Sequence, residues 1–463
     1  MSEEMKTLRK QLLRDSRSGY DVLEEAQLRR MEDYCADYKA FLGNKTERLS
    51  ARAAIAAAEA HGFVEYRRGM ALEAGDKVYT CNRGKGLMLA VMGRESMAEG
   101  VQIAAAHIDS PRLDLKPNPL YEDSELAYFK THYYGGIRKY QWVTIPLQLQ
   151  GVVVKKDGTA VEVCIGEKGE PQMVITDLLP HLGGEQGKKP LSEAIPAETL
   201  NILLGSRPIG DEDDSDRVKL HVMKRLYDKY GITEADFASA ELEAVPAADA
   251  VDIGIDGSMI GSYGHDDRVC GYAALRALLE LDAPAKTAVC VLADKEEIGS
   301  MGVTGMQSAV FETFLSDLCD SQNVPLKVCF ENSFCLSADV TAAYDPNFAD
   351  VFDKKNAAFL NHGVGLCKYT GARGKSGSSD AGAETVAYVR SLLDGAGVRW
   401  QICELGKVDA GGGGTVAQYM ANRNIATLDA GVPVLSMHAP FEVVAKLDCY
   451  EMYRACKAIY EAR

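Results

Sequence analysis

Acidic and imidazole side chains recur directly after apolar runs along this 463-residue chain. His107 and Asp109 follow Val101 to Ala106, Glu296 and Glu297 follow Thr287 to Ala293 through Asp294-Lys295, Asp339 follows Phe334 to Ala338, and His438 follows Val434 to Met437. Asp266 and Asp267 follow the glycine-rich approach Gly261 to His265 and precede a helical pattern. Singly, such a residue is an ordinary cap or turn. Together they form the kind of donor set that a pair of Zn²⁺, Co²⁺ or Mn²⁺ ions uses, about five side chains with one carboxylate bridging ions ~3.5–4 Å apart. The chain offers that number with a glutamate to spare. Hydrolysis needs such an extra carboxylate as a base, to take a proton from water and return it to the leaving amine, and Glu296-Glu297 supply base and ligand side by side.

The elements that would position these groups follow from the pattern. Leu23, Ala26, Leu28, Met31, Tyr34, Tyr38 and Phe41 recur at near-helical spacing within a largely helical first 75 residues. Two short strands follow at Lys77 to Cys81 and Gly86 to Met92, and Val101 to Ala106 reads as a buried strand. From about Leu113 to Val245 the pattern turns to strand alternation with long charged loops, as in Val152-Val153-Val154, Asp157-Gly158 and Val161 to Ile165. After Ala250 strands and helices alternate. Helices are expected over 268–281, 305–320, 379–393, 415–422 and 450–462, and strands over 287–293, 326–331, 363–369, 398–404 and 434–437. This alternation predicts an α/β fold, a mostly parallel doubly wound sheet with helices on both faces, whose site lies beyond the carboxyl ends of the strands. The expected division is a split catalytic domain, 1–112 and 249–463, around an inserted β-rich domain, 113–248.

Composition excludes several classes. Hydrophobic residues at 46% and charged residues at 25% are globular values, and Lys plus Arg of 51 against Asp plus Glu of 67 gives a net charge of −16. That balance argues against nucleic acid or an anionic membrane as partner. Twelve cysteines are scattered without a Cys-x-x-Cys pair, which fits reduced thiols in a cytoplasm. The first residues are charged and carry no apolar signal core, and no run approaches the ~20 apolar residues of a membrane span. The acidic tract Asp211 to Asp216 lacks the glycine and terminal glutamate of a calcium loop.

Five ordered segments carry a resemblance to a known family. They are Ala106-His107-Ile108-Asp109-Ser110-Pro111, His265-Asp266-Asp267-Arg268, Asp294-Lys295-Glu296-Glu297-Ile298-Gly299-Ser300, Leu336-Ser337-Ala338-Asp339 with Asp345-Pro346-Asn347, and Ser436-Met437-His438-Ala439-Pro440. In this order the chain resembles the aspartyl aminopeptidase family of dinuclear zinc metallopeptidases. The resemblance implies two divalent ions per subunit, Zn²⁺ first with Co²⁺ or Mn²⁺ as alternatives. Asp266 would bridge them, His107 and Asp339 would complete one, and Glu297 and His438 the other. Glu296 would be the general base, Asp109 would fix the tautomer of His107 from behind, and Asp267, joined to Asp266 by a cis peptide, would support the bridge. The β-rich insert would be a dimerisation domain, with dimers assembling into dodecamers and His181, in Pro180-His181-Leu182, reaching a neighbouring subunit's site to stabilise the oxyanion.

The implied activity is removal of single N-terminal residues from peptides by a water activated between two metals. A preference for N-terminal Asp or Glu would rest on Lys375, in Gly374-Lys375-Ser376-Gly377. The sequence departs from the animal enzymes at Ala439-Pro440-Phe441-Glu442 and at the glycine run Gly411 to Gly414, so a broad or neutral specificity stands as the alternative. That run lacks the Gly-Lys-Ser/Thr of a phosphate loop and reads better as a site of close backbone approach. A deacylase or carboxypeptidase with the same metals, and a metal-stabilised assembly without turnover, are the rival readings.

Overall fold

The computed structural model describes residues 2–14 and 17–463; Met1, Asp15 and Ser16 lie outside the described residues. Its largest sheet has nine strands in the spatial order Val64–Glu65, Lys77–Asn82, Gly86–Val91, Thr287–Ala293, Val101–His107, Phe334–Ala338, Ala426–Gly431, Val364–Cys367 and Trp400–Ile402. The four strands from Thr287–Ala293 to Ala426–Gly431 are mutually parallel, and antiparallel pairings flank this block on either side. The sheet is therefore mixed, with a parallel centre.

Alternation along the central strands sends successive side chains to opposite faces. Ala104, Ala106, Cys290, Leu292, Leu336 and Leu428 pack on one side against Val269 and Ala273 of helix His265–Leu279 and Met452 and Cys456 of helix Lys446–Tyr460. Ile103, Ala105, Val289, Val291 and Cys335 pack on the other against Phe311, Phe314 and Leu315 of helix Val310–Asp320. Helices thus cover both faces, and the near-continuous apolar runs of these strands follow from burial on both sides.

Register explains why scattered residues meet. Ala293 pairs with His107 and Ser337 with Ala105, so the parallel strands end at one edge. His107, Asp109, Glu296, Glu297 and Asp339 all emerge there. A five-stranded sheet, including Met259–Ser262, Glu442–Ala445 and Pro433–Leu435, brings Asp266 and His438 to the same edge from the far side.

Two elements differ from expectation. Leu326–Glu331 is a short helix following Pro325 rather than a strand. Leu326, Cys329 and Phe330 share one face at helical spacing and pack together, a pattern that a six-residue apolar run cannot distinguish from a strand. Ala426–Gly431, a central strand, is absent from the expected set because Asp429 interrupts its apolar pattern.

The segment between residues 112 and 246 forms a separate antiparallel sheet in the order Ala160–Ile165, Leu147–Val154, Ala240–Pro246, Arg112–Asp123, Leu126–Tyr134 and Ile202–Gly205. Leu113, Phe129, Trp142, Leu149 and Leu242 give it an apolar cluster of its own. No described helix is long and apolar enough to cross a membrane, and all twelve cysteines are free thiols.

Gly431 ties this fold to the site. A Cβ there would lie 1.5 Å from the carbonyl oxygen of Asp339, so the chain at Asp339 must move if the glycine is replaced. Gly431→Ala is expected to cost about 1–3 kcal/mol, as other overpacked positions do. Urea unfolding checks this, and an unchanged midpoint would contradict the close approach.

Candidate active site

Strong local constraints hold the segment that carries Asp266. Gly264 enters helix His265–Leu279 at φ 74°, and the Asp266–Asp267 peptide is cis. The fully buried Arg268 guanidinium donates to the carbonyls of Asn44 at 2.7 Å, Gly264 at 3.0 Å and Tyr263 at 3.0 Å, pinning the turn from beneath. His265 lies between the hydroxyl of Tyr38, at 2.8 Å, and the carbonyl of Ile260, at 3.1 Å. Burial and the Arg268 charge push its pKa down to about 3, so it is a neutral structural histidine.

Asp266 stands at the centre of the cluster. Its Oδ1 lies 3.2 Å from His107 Nε2, and its Oδ2 lies 3.3 Å from His438 Nε2. Asp339 Oδ1 lies 3.8 Å and Glu296 Oε2 3.9 Å from His107 Nε2, while Glu297 Oε2 lies 3.6 Å from His438 Nε2. The ligand atoms of His107, Asp266 and Glu297 fall within 4.8 Å of one another, as do those of His107, Asp267 and Asp339. Asp267 Oδ2 also accepts the His107 N–H at 3.3 Å.

Asp109 holds the cluster together from behind. Its carbonyl and carboxylate lie 3.0 Å and 3.3 Å from His107 Nδ1. Its two carboxylate oxygens also accept the backbone N–H groups of Glu296 at 3.1 Å and Glu297 at 3.2 Å. Glu442 does the equivalent on the other side, accepting the N–H of Asp266 at 3.1 Å and of His438 at 2.7 Å. Spacing gave no sign of Glu442's role, because it acts by receiving main-chain N–H groups.

Charge decides what this arrangement can hold. Burial pushes Glu297 and Asp339 well above the usual carboxylate range, and burial with Asp109 and Asp266 nearby takes Glu296 up to about 7. Burial alone would lower His438, but the carboxylates of Asp266 and Glu297 raise it to about 10. Asp266 is displaced upward by burial and more strongly downward by its bonds from the two histidines. The buried Glu297 Oε1 and Asp267 Oδ1 have no hydrogen-bond partner. Crowded carboxylates, orphaned oxygens and imidazoles without a Lys or Arg among them fit divalent cations.

A cavity of about 490 Å³ opens beside the cluster, lined by Asp266, Glu296, Glu297, Asp339 and His438 together with Cys367, Thr370, Leu405, Gly412, Tyr419, Asp429 and Met437. The glycine run forms one wall. A Cβ on Gly411 would lie 1.7 Å from the carbonyl of Leu405, and one on Gly412 would lie 2.0 Å from that of Gly371, so backbone approach explains both glycines. Asp429 carries the hydroxyl of Thr415 at 2.6 Å, and burial pushes its pKa up to about 6.

Two of the expected residues are not brought to the cluster. His181 is exposed on a turn of the inserted segment and lines no part of the cavity. Lys375 lies over the Tyr369 ring, 3.8 Å from its centroid, pairs with Asp380 at 3.1 Å, and lines a small cleft that shares Thr370 and Leu405 with the cavity.

An oxygen and imidazole cluster at the carboxyl edge of a helix-covered sheet, open to a peptide-sized cavity, defines a metallopeptidase. The chain belongs to the M18 family, whose model, described as "Aminopeptidase I zinc metalloprotease", matches residues 44–460. A Clostridium acetobutylicum protein called a probable M18 family aminopeptidase 1 is 48% identical over 450 residues, covering 95% of this chain and 97% of the relative. The crystal structure of an M18 aminopeptidase from Thermotoga maritima matches with a TM-score of 0.93 at 42% identity, covering 97% of this chain and 99% of that one. The S. cerevisiae mApe1 dodecamer shares the fold at a TM-score of 0.76 and 21% identity, covering 93% of this chain and 99% of that one. The protein is a zinc-family aminopeptidase, as the ordered segments implied.

Removing the cations should expose the electrostatics directly. Glu296, Glu297 and Asp339 are acids raised in the fold, so their contribution is present below their unfolded values, ~4, and is lost as pH rises through the folded ones. His438 acts in the same direction, because a raised histidine also loses its contribution on the way to its folded value of about 10. Chelated protein is therefore expected to melt progressively lower between pH 5 and pH 8, and Zn²⁺ to flatten that slope (differential scanning fluorimetry). A Zn²⁺-independent profile would contradict the cation assignment.

Proposed function

We propose that the protein removes single N-terminal residues from peptides with two divalent ions, most simply Zn²⁺, held by His107, Asp266, Glu297, Asp339 and His438. The observation that carries this reading is Asp266, whose two oxygens reach toward the two histidines at 3.2 Å and 3.3 Å. In this reading His107 with Asp339 would hold one ion and Glu297 with His438 the other, with Asp266 shared between them. Co²⁺ or Mn²⁺ suits the same donors. The ions, when bound, polarise the scissile carbonyl and acidify water.

The chain's own residues do the rest. Glu296 lines the cavity and takes the proton from the attacking water, then delivers it to the leaving amine. Its backbone is fixed by Asp109, so the carboxylate stays beside His107. Asp267 supports the bridge through the His107 N–H. In the same reading residues 1–112 and 249–463 form the catalytic domain, a doubly wound unit, and residues 113–248 a dimerisation insert. The separate sheet and apolar cluster of the insert support that division. His181, exposed on the insert, would complete the site of a neighbouring subunit by holding the oxyanion. The dodecamer named for mApe1 supports self-association into a dodecamer, with dimers as its proposed units, and twelve free thiols suit the cytoplasm.

Specificity follows the cavity rather than Lys375. The charged residues lining the cavity are carboxylates and one histidine, and Lys375 is occupied by Asp380 and Tyr369 outside it. Apart from the proposed ions, an acidic side chain would meet no lysine or arginine among the lining residues, which supports a neutral N-terminal residue over Asp or Glu.

Glu296→Gln is expected to keep its zinc content while kcat/KM falls about 100-fold or more. Metal analysis alongside aminoacyl-p-nitroanilide kinetics checks it, and near-normal turnover would remove Glu296 from the mechanism. With X as Asp, Glu, Leu or Lys in X-p-nitroanilides, Leu is expected to be cleaved faster than Asp, and N-acetylated substrates to resist. Dominant Asp cleavage that Lys375→Ala abolishes would restore the acidic reading.

A further inference from the structure

The hairpin of Arg112–Asp123 and Leu126–Tyr134 belongs to the inserted sheet, yet its end reaches the metal cluster at three consecutive residues. The Tyr134 hydroxyl donates to Asp109 Oδ2 at 2.8 Å. Gly135 leaves room for Glu297, since a Cβ there would lie 3.3 Å from both the Cβ and the Oε2 of that glutamate. The carbonyl of Gly136 lies 2.8 Å from His438 Nδ1. The rear nitrogens of both histidines are therefore addressed, His438 directly and His107 through Asp109.

We infer that Tyr134-Gly135-Gly136 of the inserted sheet is a positioning element of the metal centre, fixing the ring and tautomer of His438 and, through Asp109, those of His107. This rests on the ligand set proposed above. A histidine coordinates through one nitrogen only if the other holds its proton, and a fixed acceptor behind the ring sets both tautomer and direction. The Gly136 carbonyl is such an acceptor. Asp109 is another, but its carboxylate serves several donors, and the Tyr134 hydroxyl keeps one oxygen oriented.

Tyr134 is itself held. The Arg112 guanidinium lies over its ring, 3.8 Å from the centroid. Arg112 in turn pairs with Asp114 at 2.8 Å, Glu243 at 3.2 Å and Glu47 at 3.4 Å. Glu47 opens helix Glu47–Ala60 and Glu243 lies in strand Ala240–Pro246. The hydroxyl is thus aimed by a buried charged network shared between the inserted sheet and the helix beside the main one. Removing it leaves Asp109 Oδ2 with the N–H of Glu297 alone. At Gly136 a methyl group would lie 3.2 Å from His438 Nδ1, so the ring must give by a few tenths of an ångström.

The two contacts act on different histidines, so they are separable by Co²⁺ titration of chelated protein, followed by visible absorption and metal analysis. Wild-type protein should take up two ions, with His107→Ala and His438→Ala identifying which uptake step belongs to which position. Fewer than two ions in wild-type protein would refute the ligand set itself. Given two steps, Tyr134→Phe should weaken the His107 step about tenfold or more, and Gly136→Ala the His438 step, each leaving the other within about threefold. At saturating Co²⁺, kcat of Tyr134→Phe should fall about tenfold with KM nearly unchanged. Unchanged Co²⁺ affinities with only a lower melting temperature would overturn the inference, as would equal weakening of both steps in both variants. Should Gly136→Ala fail to fold, Tyr134→Phe, which keeps the ring under Arg112, decides alone.

Discussion

Mutual repulsion among buried carboxylates is the constraint around which this molecule is arranged. Asp109, Asp266, Asp267, Glu296, Glu297 and Asp339 crowd one end of a sheet with no lysine or arginine in the adjoining cavity. At an effective dielectric constant near 20, two like charges ~4 Å apart repel by about 4 kcal/mol. Several such pairs cannot stay ionised inside a fold without cations. The protein places only two imidazoles among them, and the remaining counter-charge is left to ions. That one requirement explains the raised carboxylates and the orphaned oxygens.

Holding such a cluster takes hydrogen bonds to the main chain of the segments that carry it. Asp109 gathers the N–H groups of Glu296 and Glu297, and Glu442 gathers those of Asp266 and His438. Arg268 also works through the main chain, since its guanidinium serves backbone carbonyls below the turn rather than the carboxylates. Glu296, Glu297, Asp266 and His438 are thereby positioned through their own backbone N–H groups. The inserted sheet takes part in this scaffold, because its hairpin ends against Asp109, Glu297 and His438.

The cavity wall shows the same economy of side chains. Gly411 and Gly412 let the loops near Leu405 and Gly371 approach, and Gly431 does so beside Asp339. Cys367, Thr370, Leu405 and Met437 line the part of the cavity away from the carboxylates without adding charge.

The sequence by itself determined the chemistry and the order of its parts. Oxygen and imidazole donors recur after buried runs, and runs such as Val101 to Ala106 are readable because a strand covered on both faces must be apolar throughout. The five ordered segments named the family, and the change of pattern between about Leu113 and Val245 coincides with the separate six-stranded sheet. What only the tertiary structure decided were matters of distance between remote segments. Glu442, Tyr134 and Gly136 carry no pattern, since their roles depend on main-chain groups and ring nitrogens far away in sequence. The strand Ala426–Gly431 hid behind Asp429, and the helix Leu326–Glu331 behind a run too short to show its period. The pairing of Lys375 with Asp380 and Tyr369, in a cleft beside the cavity, is likewise visible only in the fold. Local patterns report which face of an element is buried, whereas the occupant of a pocket is fixed by how distant elements pack.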